Sequence, residues 1–381
     1  MKQTVLTFNG VYKPGFKGGG PVKSISNIAE SLNNKINLFV IASDRDHGDE
    51  SSYNGVRTDC WNNIDYEKVY YHRNIDVSIL KLKKIIDELE YETAYLNGIF
   101  SNYTRKYLIL KKIGIIKKKK VVLCPRGDFN EGKSNLVIKK IKKEIYIYIT
   151  KLIGLYNDIQ WHATSLEEKD NIKMRFKNAS VKIAKNIPNK PMSLLDFKNI
   201  KKDPGKAHFI YISRINRKKN LKKSIELLTT LKGDIKFDIY GPIFEKNYWE
   251  ECLKLIEKLP NNIDVEYKGI LNNQLVENRL KEAQFMYMLT YGENYGHIIY
   301  EALSVGCPPI ISDNTPWKGL IKLGAGWDLE LDNDEKIIKV LQKCIDLNQE
   351  DYNNIRIKSL QYAEDYYNSD DSTKKTLEIL S

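Results

Sequence analysis

Residues 291–313 read YGENYGHIIYEALSVGCPPIISD and lie at the centre of the strongest local pattern in the chain. The apolar segment 285–289 (FMYML) precedes them, and 308–312 (PPIIS) is a second segment short enough for a buried strand. Between these segments, apolar residues recur at helical spacing, and Gly306 is placed as a C-terminal cap. The pattern predicts strand, glycine-containing loop, helix and strand, which is one βαβ unit.

Two carboxylates lie within this unit. Glu293 falls in the loop before the helix, and Glu301 falls inside the helix. A helix N-terminus suits phosphate, which a carboxylate would repel, so the two glutamates are expected to bind other groups. Sugar and ribose hydroxyls fit, because a carboxylate accepts two O–H hydrogen bonds. Taken alone, the pair is more typical of an N-terminal capping charge, Glu293, and a solvated helix residue, Glu301.

Length and composition restrict the class of protein. The 381 residues, 42% of them hydrophobic, predict a sizeable core and two domains. No apolar run reaches the roughly 18 residues that span a bilayer. The start, MKQTVLTFNG, predicts a first strand and not a signal peptide. Five dispersed cysteines without a CxxC pair favour a reducing, cytoplasmic compartment and argue against disulfide or metal frameworks.

The positive charge is concentrated in one segment. The net charge is +12, and residues 105–151 hold fifteen Lys or Arg against three acids. Such a patch points to an anionic surface or ligand.

A glycine loop follows the first predicted strand, 2–8. Gly18, Gly19 and Gly20 come just before Pro21, which is well placed at a helix start. Glycines between strand and helix let backbone N–H groups approach a phosphate. The GxGxxG pattern is missing, so NAD binding is not expected.

Strand candidates alternate with helical stretches through the first half, which predicts a parallel sheet covered by helices. They are 36–42, 68–71, 94–96, 120–124, 158–163 and 181–184, with 44–63 expected to be a long loop. Arg126 and Asp128 follow one strand and His162 ends another, where an α/β fold binds ligands. Arg126 is equally typical of a residue that binds phosphate and of one that pairs with a local acid. His162 is either a residue of the ligand site or an ordinary histidine at the end of a strand.

The pattern restarts after a polar, proline-bearing linker, with strands at 207–212, 236–240, 264–267 and 325–329. Arg214 and Lys219 fall at the first turn between strand and helix. Two cations at a helix N-terminus oppose the helix dipole, so a bound diphosphate or simple solvation must offset them. Trp317 lies in the polar loop after the βαβ unit, where it would stack on a sugar or pack internally.

Two motifs resemble those of the family 4 retaining glycosyltransferases. Glu293-x7-Glu301, in GENYGHIIYEALSVGCPPIISD, resembles the donor-site signature, and Arg214-x4-Lys219 resembles the diphosphate-binding pair. The resemblance implies an α/β fold of GT-B type, with two Rossmann-like domains facing across a cleft. Residues 1–190 would form the acceptor-side domain and 204–362 the nucleotide-sugar domain. The helix 363–381 would cross back to the first domain.

The resemblance also implies an activity: transfer of a sugar, most simply from a UDP-sugar, to a glycan or lipid-linked glycan in bacterial polysaccharide or O-antigen synthesis. Neither cofactor nor metal would be needed. Arg214, Lys219 and Glu293 would be catalytic. The resemblance implies donor contacts from eight residues. They are Gly19, Gly20, Gly269, Ile270, Asn294, Tyr295, Gly296 and Glu301. Arg126 and Asp128 stand where many family members have a sugar-contacting histidine, so Arg126, Asp128, His162 and Trp317 are the candidates for acceptor or sugar contacts.

Two alternatives remain open. One is another GT-B enzyme, such as a sugar-nucleotide epimerase or a glycan phosphorylase. The other is a non-catalytic module that binds anionic lipid or nucleic acid; stacking aromatics beside the cations, which nucleic-acid binding favours, are few.

The basic segment itself allows two interpretations. In residues 137–155, isoleucines and a leucine recur every three or four positions, with Lys139, Lys140, Lys142 and Lys143 among them. The helix then buries its apolar side in the domain core, or it lies on an anionic membrane beside a lipid-linked acceptor.

Overall fold

The computed structural model describes residues 2–73, 75–129, 137–196 and 200–381, with the backbone alone for 137–140 and 196. Described residues up to Ile187, together with Asp370–Ser381, form one compact unit, unit 1. Pro188–Ser369 form the second, unit 2. The side chains of Lys139 and Lys140, named above, therefore lie outside the described residues.

Unit 1 is built on a sheet that has eight strands within the described ranges, in the order β3-β4-β2-β1-β5-β6-β7-β8. The described neighbours are parallel apart from β3 and β4. The strands are β1 (Gln3–Phe8), β2 (Ile36–Ser43), β3 (Trp61–Ile64), β4 (Glu67–His72), β5 (Thr93–Asn97), β6 (Lys120–Cys124), β7 (Gln160–Ala163) and β8 (Ser180–Ile183).

Strand β3 corrects the expectation of a loop over 44–63. It pairs antiparallel with β4 through a tight turn in which Asp65 has a positive φ of 45°. Its sequence, WNNI, carries too little apolar alternation to predict a strand. Trp61 nevertheless packs edge-on against Phe39 and Tyr70, and this aromatic cluster fixes the hairpin at the edge of the sheet.

The helices of unit 1 connect its parallel strands. They are α1 (Gly20–Ser31), α2 (Ile79–Asp87), α3 (Asn102–Lys112), α4 (Val137–Leu152) and α5 (Leu166–Arg175), followed at the chain end by α13 (Ser372–Leu380). Helix α13 packs against α1, and the carbonyl of Leu380 accepts hydrogen bonds from Gln3 and Thr93. The chain end is thereby tied to the strands of this unit.

The burial of side chains along α4 decides in part between the two interpretations of the basic segment. Ile147 and Thr150 are buried in unit 1. Ile141, Ile145 and Ile149, in contrast, are each more than half exposed. The apolar side expected in the core therefore faces outward from Ile141 onward, because periodicity shows which residues share a face but not where that face points.

Unit 2 has six strands among its described residues, all parallel to their neighbours, in the order β11-β10-β9-β12-β13-β14. They are β9 (Lys206–Ile212), β10 (Asp234–Tyr240), β11 (Ile263–Tyr267), β12 (Phe285–Met288), β13 (Pro309–Ser312) and β14 (Trp327–Leu329). The strand order reverses between β9 and β12, which makes this the topological switch point.

Every residue of β12 is buried, as expected for a central strand of a parallel sheet whose two faces are covered by helices. The helices of unit 2 are α6 (Leu221–Glu226), α7 (Lys246–Ile256), α8 (Asn273–Glu282), α9 (His297–Ser304), α10 (Leu320–Leu323), α11 (Asp334–Asp346) and α12 (Gln349–Asn368). The predicted βαβ unit is thus β12-α9-β13. Gly306 ends α9 with a φ of 67° and a pair of Schellman hydrogen bonds, from Gly306 to Leu303 and from Cys307 to Ala302.

A search of the described helices for a membrane span found none that is both long and apolar enough.

Candidate functional site

The candidate site lies at the switch point of unit 2. Arg214 and Lys219 follow β9, and Glu293 follows β12, the strand next to β9 in the sheet. The carboxyl ends of these two parallel strands bring their loops to the same edge. Residues that are more than 70 positions apart in sequence therefore meet in one place.

Backbone hydrogen bonds join the two loops. The N–H of Tyr291 and the hydroxyl of Thr290 both donate to the carbonyl of Lys218, at 2.9 and 3.2 Å. The side-chain amide of Asn220 donates to the carbonyl of Leu289 at 2.9 Å. Asn220 has a left-handed φ of 55°, a conformation that asparagine tolerates better than most residues. The position of one loop is thus fixed by the other.

An ion pair crosses this junction. The Nζ of Lys219 donates a hydrogen bond to Oε1 of Glu293. The two side chains are only 11% and 12% exposed, so water screens their attraction weakly. The side chain of Asn216 accepts from the N–H of Lys219, which holds the short turn that presents the lysine. Glu293 therefore compensates the charge of Lys219. The sequence alone allows either a bound diphosphate or solvent in this role.

Arg214 differs from its neighbour Arg217. Arg217 pairs with Glu251 and lies over the ring of Tyr248. Arg214 is exposed and lies over Phe244, 5.4 Å from the ring centre. In the part of the chain that the structure describes, no carboxylate lies within ion-pair distance of Arg214. Its charge is available to an anionic ligand beside Lys219.

The N-terminus of α9 forms the third side of the candidate site. Gly296 precedes the helix with a φ of 76° and, as a glycine, supplies no side-chain cap of its own. A Cβ at this glycine would lie 2.9 Å from Ile299 and 3.3 Å from Nε1 of Trp317. The predicted donor contacts Asn294, Tyr295 and Gly296 thus lie directly between Glu293 and the helix. Glu301 lies one turn into α9 and is half-buried.

Trp317 is buried and packs against Tyr295, Tyr300, Tyr362 and Tyr366. Its Nε1 donates to the carbonyl of Tyr295 at 2.5 Å. The sequence allows Trp317 either to stack on a sugar or to pack internally, and in the structure it packs internally. The indole holds the backbone of Tyr295 in place.

Gly269 and Ile270 follow β11 at the same end of the sheet. Gly269 has a φ of 83°, and its carbonyl accepts from the N–H of Gly241 at 2.9 Å. Ile270 is 42% exposed, although it is aliphatic. An exposed isoleucine at the edge of a ligand site offers an apolar surface to a flat group such as a base.

The candidate residues of unit 1 fall into two groups. Gly19 and Gly20 are exposed at the start of α1, and the loop before them is held by the buried carboxylate of Asp46, which accepts from the N–H groups of Phe16 and Lys17. The phosphate-binding role of the two glycines stays a prediction. Asp46 is a supporting residue that the sequence did not single out, because a lone aspartate 30 positions away carries no signal.

Arg126, Asp128 and His162 form part of the internal hydrogen-bond structure of unit 1. Arg126 donates to the side chains of Asn97, Asn186 and Tyr95, all uncharged partners. Asp128 accepts from the N–H groups of Ile99 and Phe100, and burial raises its pKa. These contacts favour structural roles over sugar contacts, which stay untested predictions.

His162 is buried between two polar groups. Its Nε2 lies 2.9 Å from the carbonyl of Ala184 and donates to it, so Nδ1 accepts from the hydroxyl of Tyr95 at 2.8 Å. Burial, aided by the nearby charge of Arg126, lowers the pKa of His162 to about 3. The imidazole is neutral at physiological pH.

Among the described residues, no cluster of three or more His, Cys, Asp or Glu has the spacing to hold a metal ion.

Residues 194–361 contain both loops of this junction, Ile270 and α9. This segment matches the family model of the glycosyl transferases group 1. The group 1 match covers less than half of the chain and lies wholly within unit 2. A search of curated proteins found no match to the sequence.

Solved structures resemble the whole chain. HepE from Anabaena, in complex with UDP and glucose, is 14% identical with a TM-score of 0.68, covering 99% of this chain and 98% of its own. Sucrose-phosphate synthase from Thermosynechococcus elongatus has 13% identity, a TM-score of 0.70 and the same two coverages. WaaG, a glycosyltransferase involved in lipopolysaccharide biosynthesis, has 13% identity, a TM-score of 0.62 and coverages of 99% and 99%. The predicted GT-B class, with two Rossmann-like domains, is confirmed.

The neutral, buried His162 predicts a pH dependence of stability. Its folded pKa of about 3 lies below the value of about 6.5 expected in the unfolded chain. Between these values only the unfolded chain takes up the proton, so the stability is lost as pH falls through this window. We expect His162→Gln, whose amide can keep both hydrogen bonds, to flatten the stability profile below pH ~6.5 by up to about 1.4 kcal/mol per pH unit.

Urea unfolding of both proteins from pH 7.5 down to pH 4.5 measures this difference. Parallel profiles for the wild type and His162→Gln would show that His162 does not carry the effect.

Proposed function

We propose that the chain is a retaining glycosyltransferase that moves a hexosyl- or N-acetylhexosaminyl-type sugar from a nucleoside diphosphate sugar, with UDP-sugar as the donor, to a glycan or lipid-linked glycan. The observation that carries the proposal is the meeting of Lys219 and Glu293 at the switch point of unit 2. The group 1 match spans both residues and supports it, as does the likeness of the fold to HepE, solved with UDP-glucose.

The cations are assigned to the diphosphate. Arg214 and Lys219 sit at the end of β9, and the N–H groups around Tyr295 and Gly296 lie at the N-terminus of α9, which attracts anions. Negative charge grows on the diphosphate as the bond to the sugar breaks. Fixed cations and N–H groups stabilise that charge in the transition state more than in the bound donor. We therefore assign no metal or cofactor to this step.

The carboxylates are assigned to hydroxyl groups. Glu293 would orient the transferred sugar, and Glu301, one turn further along α9, would accept hydrogen bonds from the ribose. Gly269 and Ile270 would face the base, since Ile270 exposes an apolar side chain at this edge.

Binding of the donor then requires an exchange of partners. Lys219 and Glu293 are paired with each other in the described structure. With donor present, the lysine would pair with the diphosphate and the carboxylate with sugar hydroxyls. The pair keeps both charges compensated in a nearly buried place until the donor supplies new partners.

The proposals that the anomeric configuration is retained and that the chain acts in polysaccharide synthesis rest on resemblance to known glycosyltransferases. Glu293-x7-Glu301 resembles the donor signature of a retaining family. WaaG, which shares the fold, acts in lipopolysaccharide biosynthesis. We infer a role in bacterial polysaccharide or O-antigen synthesis, on the cytoplasmic side where nucleotide sugars are made.

A panel of nucleotide sugars tests the proposal. A donor hit should raise the melting temperature by mass action, and the same donor should then yield product with a sugar or lipid-linked acceptor in the presence of EDTA. NMR of the product should show the anomeric configuration of the donor. Conversion of the donor without acceptor would identify an epimerase instead, and activity that needs added Mg²⁺ or Mn²⁺ would refute the assignment of charge stabilisation to the protein alone.

The exchange of partners gives a prediction for Glu293→Gln. This change keeps the size of the side chain but removes the charge that competes with the diphosphate for Lys219. We expect free UDP to bind about three- to tenfold more tightly, equal to roughly 0.6–1.4 kcal/mol, while the transfer rate falls because the sugar loses a charged partner. Isothermal titration calorimetry and initial rates measure the two effects.

Glu251→Gln is the matched control. It removes a carboxylate from the nearby Arg217 pair and leaves Lys219 paired with Glu293. UDP affinity should stay at the wild-type value. Equal or weaker UDP binding by Glu293→Gln would contradict the exchange.

Glu301→Ala tests the ribose assignment. Loss of a charged hydrogen-bond partner should weaken UDP and the UDP-sugar alike, by roughly 1.5–3 kcal/mol. The wild type should also prefer UDP to its 2′,3′-dideoxy analogue, and Glu301→Ala should bind both equally. If the variant keeps the wild-type preference between the two nucleotides, Glu301 does not contact the ribose.

A further inference from the structure

Helix α4 carries an apolar surface that unit 1 does not cover. Its exposed large apolar residues extend over about three turns along one side of the helix, and each is more than half exposed. They are Ile141, Ile145, Tyr148, Ile149 and Leu152, followed by Ile153 after the helix. We call these six residues the α4 apolar patch.

The packing of α4 fixes the direction of this patch. Ile147 and Thr150 are buried, and Tyr146 packs against Phe100 at 5.6 Å between ring centres. At 100° per residue Ile147 and Thr150 lie on the side of the helix opposite to Ile145 and Leu152, and the half-buried Tyr146 lies at the flank between the two sides. The patch therefore points away from unit 1 because the helix is anchored by its other side.

The end of α3 carries two more exposed isoleucines. Ile113 and Ile115 are 58% and 46% exposed. The side chain of Lys111 donates to the carbonyl of Asn157 at 2.8 Å, which ties the end of α3 to the loop after α4. Exposed aliphatic residues grouped in this way differ from the single, scattered apolar residues that soluble surfaces normally carry.

Lysines border the apolar surface. Lys112, Lys118 and Lys142 are exposed, and the sequence segment 105–151 that contains them holds fifteen Lys or Arg against three acids. Glu144, the acid on α4, is paired with Arg175. Positive charge around an aliphatic centre matches the two layers of an anionic bilayer surface, with headgroups outside and acyl chains beneath.

We propose that the α4 apolar patch and its lysines form a docking surface for an anionic lipid membrane. Charge decides against a second copy of the chain, because two such surfaces would bring lysines against lysines. Chemistry decides against nucleic acid, because the centre is aliphatic and offers Tyr148 as its one aromatic ring among the described patch residues, whereas bases bind by stacking. The tyrosine suits the interface between headgroups and acyl chains.

This proposal is independent of the sugar-transfer function and uses none of the residues assigned to the donor. It makes the second interpretation of the basic segment, a helix on an anionic membrane, specific: the apolar side inserts, and the lysines at its border meet the headgroups.

Vesicle sedimentation tests the docking surface. The wild type should pellet with vesicles of phosphatidylglycerol and phosphatidylcholine at low salt, should stay in solution with phosphatidylcholine alone, and should be released by high salt. The triple variant Ile141→Gln/Ile145→Gln/Ile149→Gln should lower the bound fraction by about tenfold or more, since each isoleucine would bury apolar area in the lipid. Lys112→Gln/Lys118→Gln/Lys142→Gln should weaken binding and reduce its salt dependence.

A matched control separates this effect from general loss of apolar surface. Leu253, Ile321 and Leu323 are exposed aliphatic residues of unit 2, and their change to glutamine should leave vesicle binding intact. UDP affinity and the thermal unfolding transition should be unchanged in all three triple variants, which shows that they are folded.

Two results would overturn the proposal. The first is a wild type that ignores anionic vesicles at low salt. The second is an isoleucine variant that binds them as well as the wild type. A dimer in sedimentation velocity that the isoleucine variant dissociates, with no vesicle binding, would assign the patch to self-association instead.

Discussion

The structure of unit 2 depends at its functional edge on the junction between two loops. The carbonyl of Lys218 receives hydrogen bonds from residues 290 and 291, and Asn220 reaches across to Leu289. These contacts place Lys219 against Glu293 at the point where the strand order reverses. Lys219 and Glu293 belong to separate loops, and these contacts fix their positions relative to each other and to the N-terminus of α9.

The junction also keeps the two charges of the site compensated. A lysine and a glutamate that are each about one-tenth exposed lose much of their hydration, and each would be costly to leave unpaired. Paired, they hold the site in the geometry in which an anion and a set of hydroxyl groups can replace the two partners. Arg214 lies outside this pair and over Phe244, so part of the positive charge needs no rearrangement to meet a ligand.

Much of this architecture could be predicted from sequence because it is encoded locally. The apolar run FMYML, the helical spacing after it and Gly306 predict β12, α9 and the turn that ends the helix, and the structure contains all three. The hairpin strand β3 was missed because its stability comes from Trp61 packing on Phe39 and Tyr70 and not from its own pattern. The Lys219–Glu293 pair joins residues 74 positions apart, and local patterns carry no distance between them. The direction of α4 was open for a related reason, since a helix with one apolar side folds equally well with that side inward or outward until its neighbours are known.

The most direct test of the account is a crystal structure of the chain with a bound UDP-sugar. The account predicts that a diphosphate oxygen lies within about 2.7–3.2 Å of Lys219 Nζ, that Arg214 contacts the same diphosphate, and that the carboxylate of Glu293 has left Lys219 for the hydroxyls of the sugar. A donor bound elsewhere in the molecule, with Lys219 and Glu293 still paired, would contradict it.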